Sequence, residues 1–279
     1  PPNELKPMFE EEVFPYLRKK QPEIIYSQMV KICSIGESQV AEEIQDLIEK
    51  QSNPTIAPYA KTGEVHLRIT AKAESEKECK KLIKPIVREL KSRFGKNIFA
   101  TDEGKTLEEA VVDMLKDQDR VLALAESCTG GLLAGRLLNV SGASEVYEEG
   151  HITYSNAAKE KILGVAHETL EKFGAVSSQT AEEMARGAAT IANANAALVT
   201  TGIAGPTGGT KEKPVGLVYI GCCLNNRIRV EECHFHGTRE EIRKASVERA
   251  IEILGEELED TLSVQETVCD SRMEEKNAD

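Results

Sequence analysis

The chain has 279 residues, 40% of them hydrophobic and 29% charged, a soluble globular composition long enough for two cores. No apolar run approaches the roughly 20 residues of a membrane span and no signal-peptide pattern opens the chain, so a membrane partner is not expected. Of the net charge of −12, −7 lies between Glu256 and Asp279, and the remaining −5 offers no electrostatic footprint for nucleic acid.

The sequence begins at Pro1 rather than Met, as expected of a fragment or processed chain. Residues 4 to 20 predict a helix interrupted by Pro7 and Pro15. IIYSQMVKICSI then reads as a strand and ESQVAEEIQDLIEK as an amphipathic helix. TIAPYAKTGEVHLRITAKA reads as a hairpin about Lys61-Thr62-Gly63, ESEKECKKLIKPIVRELKSRFG as a long helix kinked at Pro85, and KNIFAT as a short strand. The order β-α-β-β-α-β predicts a small α+β, ferredoxin-like domain over residues 23–101, after a short leading segment at 1–22.

TDEGK (101–105) marks a boundary, and the second domain is expected over 102–260. Three helices there are predicted to open with a Thr cap and a Glu three residues on, at Thr106, Thr180 and Thr238. VLALA, HITYS, AALVTTG, LVYIGCC and IRVEECHFH supply strands between helices, with a hairpin at NNR (225–227). The pattern is that of a three-layer α/β/α domain with a mixed sheet. Residues 261–279, acidic and poor in apolar residues, predict a disordered tail.

Seven cysteines without framework spacing favour a reducing, cytoplasmic setting. In CHFH, alternation puts His234 and His236 on one strand face, but two imidazoles and a thiol fall short of a zinc set. No metal or other cofactor is expected.

The chemistry concentrates at strand C-termini, where open α/β sheets build their sites. AESCTGG (125–131) lacks both common nucleotide-binding fingerprints. It offers Glu126, the Ser127 hydroxyl, and the amides of Thr129, Gly130 and Gly131 entering a helix, where an anion or oxyanion can bind. An ordinary cap with packing glycines is the alternative. In YSNAAKEKILG, Asn156 reads as the N-cap and Gly164 as the helix end, which puts Lys159 in the first turn. There the helix dipole, with some burial, would lower its pKa and make it a base, with Tyr154 close by. A solvated lysine and a packing tyrosine are the alternative. TTGIAGPTGGTKEKPVG (200–216) reads as either a substrate-facing or a plain surface loop. Arg239 and Arg243 flank a helix start where they could hold a phosphate, unless Glu240 and Glu241 neutralise them.

AESCTGG, ITYSNAAKEKILGV, GAVSSQTAEEMARGA, TTGIAGPTGG, EKPVGLVYI and the TREEIR helix, spanning about 104–258, together closely resemble the CinA family of competence/damage-inducible proteins, specifically its C-terminal nicotinamide-nucleotide amidase domain. NPTIAPYAKTGEVHLRITAKA resembles the family's linker domain, and PPNELKPMF the end of its N-terminal molybdopterin-binding-like domain. The pyrophosphatase activity tied to that N-terminal domain is not expected here. The resemblance implies hydrolysis of nicotinamide mononucleotide to nicotinic acid mononucleotide and ammonia. It implies Ser127 as nucleophile, Tyr154 and Lys159 as proton-handling partners, and Thr201 near the reacting amide. Glu126, Thr129, Gly130, Gly131, Gly202, Gly205, Arg239 and Arg243 are expected around the substrate. Thr207 and Thr238 stand where many relatives carry Asp. A homo-oligomer, a dimer, is expected. The competing expectations are a nucleotide-responsive regulatory or scaffold protein without turnover, and an amidase for another pyridine carboxamide.

Overall fold

The computed structural model describes residues 1–276 except Pro22 and Thr62, without the side chains of Pro2 and of residues 262–276. Two units divide between Gly104 and Lys105. The N-terminal unit opens with α1 (Pro2–Met8) and α2 (Phe14–Lys20), joined through a π-helical turn at Phe9–Val13 rather than broken. Pro15 sits in the first turn of α2, where its missing N–H is no loss.

There follow β1 (Ile24–Cys33), α3 (Glu37–Glu43), α4 (Gln45–Lys50), β2 (Thr55–Lys61), β3 (Glu64–Ala73), α5 (Glu76–Phe94) and β4 (Ile98–Ala100). The antiparallel sheet has the order β2-β3-β1-β4, that of a ferredoxin-like sandwich. The predicted turn at 61–63 includes Thr62 and so lies partly outside the described residues. Ile32, Leu67, Ile69, Ile83 and Leu90 are fully buried between sheet and helices. The predicted single helix over 37–50 is two short ones meeting at Ile44. α5 runs through Pro85, capped at its start by Ser75.

The C-terminal unit comprises α6 (Leu107–Asp117), β5 (Leu122–Glu126), α7 (Leu132–Leu138), β6 (Tyr147–Ile152), α8 (Asn156–Leu163), α9 (His167–Phe173), α10 (Ser178–Ile191), β7 (Ala196–Gly202), β8 (Leu217–Leu224), β9 (Arg227–His234) and α11 (Arg239–Lys276). Its mixed sheet has the order β6-β5-β7-β8-β9, parallel over the first three strands and antiparallel thereafter. Asn225 and Asn226, both at positive φ, make the two-residue turn between β8 and β9. Ala123, Ala125, Ala197 and Val199 pack against α8, α9 and α10 on one face, while α6, α7 and α11 form the opposite layer. Alanines at 181, 185, 188 and 189 let α10 lie close on the sheet.

The capping boxes at Thr106 and Thr238 form as predicted, with Glu109 and Glu241 reaching back to the cap amides at 2.8 and 2.7 Å. At Thr180 the helix begins earlier. Ser177 caps α10, and Thr180 is buried inside it with its hydroxyl on the Gly174 carbonyl at 2.8 Å. Glu183, freed from capping, accepts instead from the Ala166 amide and the Thr169 hydroxyl.

α11 also departs from expectation, because the backbone stays helical to Lys276 through most of the predicted disordered tail. The segment holds no Gly or Pro after Gly255, so nothing in it breaks the helix. Part of its acidic charge is used in folding. Arg249 donates to Glu231, Glu252 and Glu256, and Arg229 to Glu231 and Glu256, which seats α11 on β9.

Candidate active site

Ser127 follows the last residue of β5, with its amide on the Thr200 carbonyl of β7 at 3.0 Å. Register between two buried parallel strands therefore places it, and only 8% of its surface is exposed. The residue before it turns inward. The Glu126 carboxylate accepts from the Thr129 hydroxyl at 2.6 Å and from the amides of Gly131, Leu133 and Ala134 at 2.9, 3.1 and 2.9 Å. Thr129 is also buried, its hydroxyl 2.7 Å from that of Thr200. The Glu126 carboxylate and the Thr129 hydroxyl, expected near the substrate, are both engaged in holding the loop. The Gly131 amide, expected to be available to an anion, is engaged by Glu126.

Gly130 and Gly131 adopt φ of +58° and +93°, which side-chain-bearing residues rarely reach, and so permit the abrupt turn into α7. Arg243, expected near a phosphate, reaches this turn from α11. Its Nε donates to the Cys128 carbonyl at 3.0 Å and its Nη2 to the Thr129 carbonyl at 2.6 Å. A trans peptide carries its C=O and N–H on opposite sides. Both carbonyls face Arg243, so the amides of Thr129 and Gly130 turn together to the other side of the loop. Successive amides aimed one way are able to bind an anion.

Lys159 completes the centre. Ser155 rather than Asn156 caps α8, accepting from the Ala158 amide at 3.1 Å, so Lys159 begins the second turn. Its side chain is fully buried, with Nζ 3.1 Å from Ser127 Oγ, 2.7 Å from the Thr153 carbonyl and 3.5 Å from that of Tyr154. Burial lowers its pKa from 10.5 to about 8. Burial has the opposite effect on the neighbouring Cys128 thiol, raised to about 11, which keeps it protonated and unreactive.

The Tyr154 side chain is not brought to this pair. It is 64% exposed, and its hydroxyl makes no hydrogen bond among the described residues, because Thr153 takes the inward position as the chain leaves β6. Thr201 is buried with its hydroxyl on the Ala175 carbonyl at 2.7 Å, which ties β7 to the turn before α10. A side chain at Gly202 would meet Val218 Cγ2 at 2.6 Å, so its bareness serves the close approach of β8. Gly205 is buried at φ +72°, its carbonyl accepting from Arg239 at 2.7 Å. Arg239 and Arg243 thus fasten the two loops from one helix start. Lys213 anchors the second loop from its far end through the carbonyls of Phe173 and Val176, at 2.5 and 2.6 Å.

Sequence reasoning missed Thr153, Thr200 and Lys213. Thr153 holds Lys159, and Thr200 holds the Ser127 amide, through backbone carbonyls, which leave no trace in side-chain chemistry. Their one signal is placement on or just after β6 and β7, the two strands that flank β5.

A buried serine–lysine pair thus lies at the strand ends of the mixed sheet in a three-layer α/β unit. The chain belongs to the CinA family of competence/damage-inducible proteins. Residues 104–258 match the CinA C-terminal domain, and residues 27–100 match the damage-inducible protein CinA KH domain. Over 258 residues it is 52% identical to a competence-damage inducible protein of Clostridium novyi and 51% identical to one of Clostridium acetobutylicum. Each match covers 92% of this chain and 62% of the relative, so the chain spans about three-fifths of their length. Among solved structures, a competence/damage inducible protein of Agrobacterium tumefaciens superposes with a TM-score of 0.52 at 45% identity, covering 53% of this chain and 91% of that one. A CinA superfamily protein of Escherichia coli gives 0.53 at 32% identity, covering 58% and 96%.

Proposed function

We propose that the C-terminal unit is a metal-independent amidase that hydrolyses nicotinamide mononucleotide to nicotinic acid mononucleotide and ammonia. The observation carrying an acyl-transfer reading is the 3.1 Å contact between Ser127 Oγ and a fully buried Lys159 whose pKa is lowered to about 8. The mononucleotide itself rests on the family resemblance of the motifs.

Neutral Lys159 can direct its two N–H bonds to the carbonyls of Thr153 and Tyr154, leaving its lone pair for the Ser127 proton. Ser127 Oγ attacks the carboxamide carbon as its proton passes to Lys159. The former carbonyl oxygen becomes an oxyanion, held by the amides of Thr129 and Gly130 that Arg243 keeps turned outward. The tetrahedral species collapses, and the C–N bond breaks as the Lys159 ammonium returns the proton to the leaving nitrogen. Ammonia departs and an ester of Ser127 remains. Lys159 then takes a proton from water, hydroxide adds to the ester carbon, and the carboxylate product leaves as Ser127 recovers its proton.

Ammonia release measured in parallel on nicotinamide, its riboside and its mononucleotide tests this reading. Turnover confined to the mononucleotide supports it. Equal turnover of free nicotinamide would assign a different pyridine carboxamide. Tight binding of the mononucleotide without ammonia would replace the enzyme with a nucleotide-responsive binding protein.

A further inference from the structure

We infer that the N-terminal unit carries a docking groove for an acidic peptide in extended conformation, added as a strand along the open part of the β1 edge. β1 has ten residues, but β4 has three and pairs with it only at Lys31 and Ile32. On the other side β1 is paired with β3 along its whole length. Residues 24–29 therefore keep one edge without a neighbouring strand among the described residues. An edge of this kind is a template for another chain.

A groove of about 750 Å³ lies along that edge. One wall is β1 itself, through Tyr26, Ser27, Gln28 and Met29, and Val87 contributes an apolar patch. The other wall is a row of cations on α5: Lys80, Lys84, Arg88 and Lys91. Lys80 is paired with Glu76 at 2.6 Å, while Lys84, Arg88 and Lys91 have no carboxylate partner among the described residues. The groove closes at Thr101–Glu103, where Gln28 Nε2 donates to the Thr101 carbonyl at 3.1 Å.

The spacings suit a strand. Lys84 to Lys91 covers roughly 10 Å at 1.5 Å per helical residue. Alternate side chains of a strand recur about every 6.6 Å, so three acidic residues at i, i+2 and i+4 span about 13 Å, within reach of flexible lysine and arginine side chains. Main-chain hydrogen bonds along β1 would supply register, and the cations would select acidic side chains on the helix-facing side.

Single-stranded nucleic acid suits the groove less well, because such grooves join cations to exposed aromatic platforms. The one aromatic ring lining this groove, Tyr26, already has the Lys80 ammonium 5.2 Å from its centroid. The α3–α4 turn has no glycine between Glu37 and Lys50, and hence no GXXG backbone clamp. Glu37, Glu42, Glu43, Asp46 and Glu49 there would repel phosphates.

The test titrates the whole chain with a labelled peptide of alternating Glu and Val, with the same peptide N-methylated on alternate residues, and with oligothymidylate of similar length. The parent peptide should bind. The N-methylated peptide should bind at least about tenfold more weakly, as should the parent to a Lys84→Glu/Arg88→Glu double variant. Lys50→Glu, away from the groove, should bind normally, and melting temperatures report whether each variant is folded. On the wild-type chain, which no substitution perturbs, bound peptide should slow amide hydrogen exchange within residues 24–29. Absence of binding, equal binding of the N-methylated peptide, unchanged exchange at 24–29, or tighter binding of the oligonucleotide would each overturn strand addition.

Discussion

The Thr153 carbonyl lies 2.7 Å from Lys159 Nζ, closer than the 3.1 Å that separates Nζ from the Ser127 hydroxyl. The amine is therefore held first by the backbone and aimed at the serine as a consequence. Burial makes this arrangement pH-sensitive, because Lys159 must lose a proton to act as base. Its pKa is lowered to about 8, so kcat/KM should rise with pH and level off above roughly 8 to 9. A profile flat from pH 6 to 10 would remove Lys159 from the base role.

The same shift has a consequence for stability. Between about 8 and 10.5 the unfolded chain holds a proton at Lys159 that the folded chain does not. Stability from this group therefore increases with pH across that window, and charging the buried amine is penalised below it. Relative to wild type, Lys159→Met should lose stability as pH is raised from 7 to 10, by up to about 3 kcal/mol. Denaturant unfolding of both proteins at the two pH values measures the change. A constant difference would mean that the amine is solvated.

Ser127→Ala removes the hydroxyl but keeps the amide bond to Thr200 and the Glu126 cap. Turnover should fall by several orders of magnitude, while affinity for the mononucleotide changes by less than about tenfold, or about 1.4 kcal/mol. Near-normal turnover in a mildly destabilised protein would reduce AESCTGG to a turn.

Arg243 offers a sharper division between positioning and phosphate binding. Arg243→Met removes both hydrogen bonds to the loop carbonyls, so the peptide planes at 128–130 are no longer held in one orientation. The expected result is a kcat about 10- to 100-fold lower with little change in KM. Steady-state kinetics decides. A raised KM at unchanged kcat would assign the guanidinium to the substrate phosphate.

Glu126→Gln keeps the shape but presents an amide N–H₂ to a set of four donors. The expected loss is about 2–3 kcal/mol of folding stability, read as a lower melting temperature. An unchanged melting temperature would show that Glu126 is not the cap of α7.

Much of the architecture was legible because local rules acted within a few residues. Apolar runs bounded by turn residues marked the strands, and Asn225-Asn226 announced its turn. The Thr106 and Thr238 boxes needed only a Thr and a Glu three positions apart. The same rule misread Thr180, where Ser177, Gly174 and a buried helix face offered the threonine hydroxyl a better partner than its own backbone.

By itself the sequence pointed to where a candidate site could lie: at a strand end entering a helix, with Ser127 on the loop after β5 and Lys159 in the helix after β6. Strand periodicity and helix capping depend on neighbours in the chain, so they can be read along it. Only the tertiary structure decided which groups face the centre. Glu126 turned in to satisfy the helix amides, Thr153 displaced Tyr154 from the interior, and Arg243 reached back 115 positions to set two peptide planes. Those outcomes depend on which unpaired backbone groups remain once sheet and helices have packed, and no local pattern of side chains encodes that remainder.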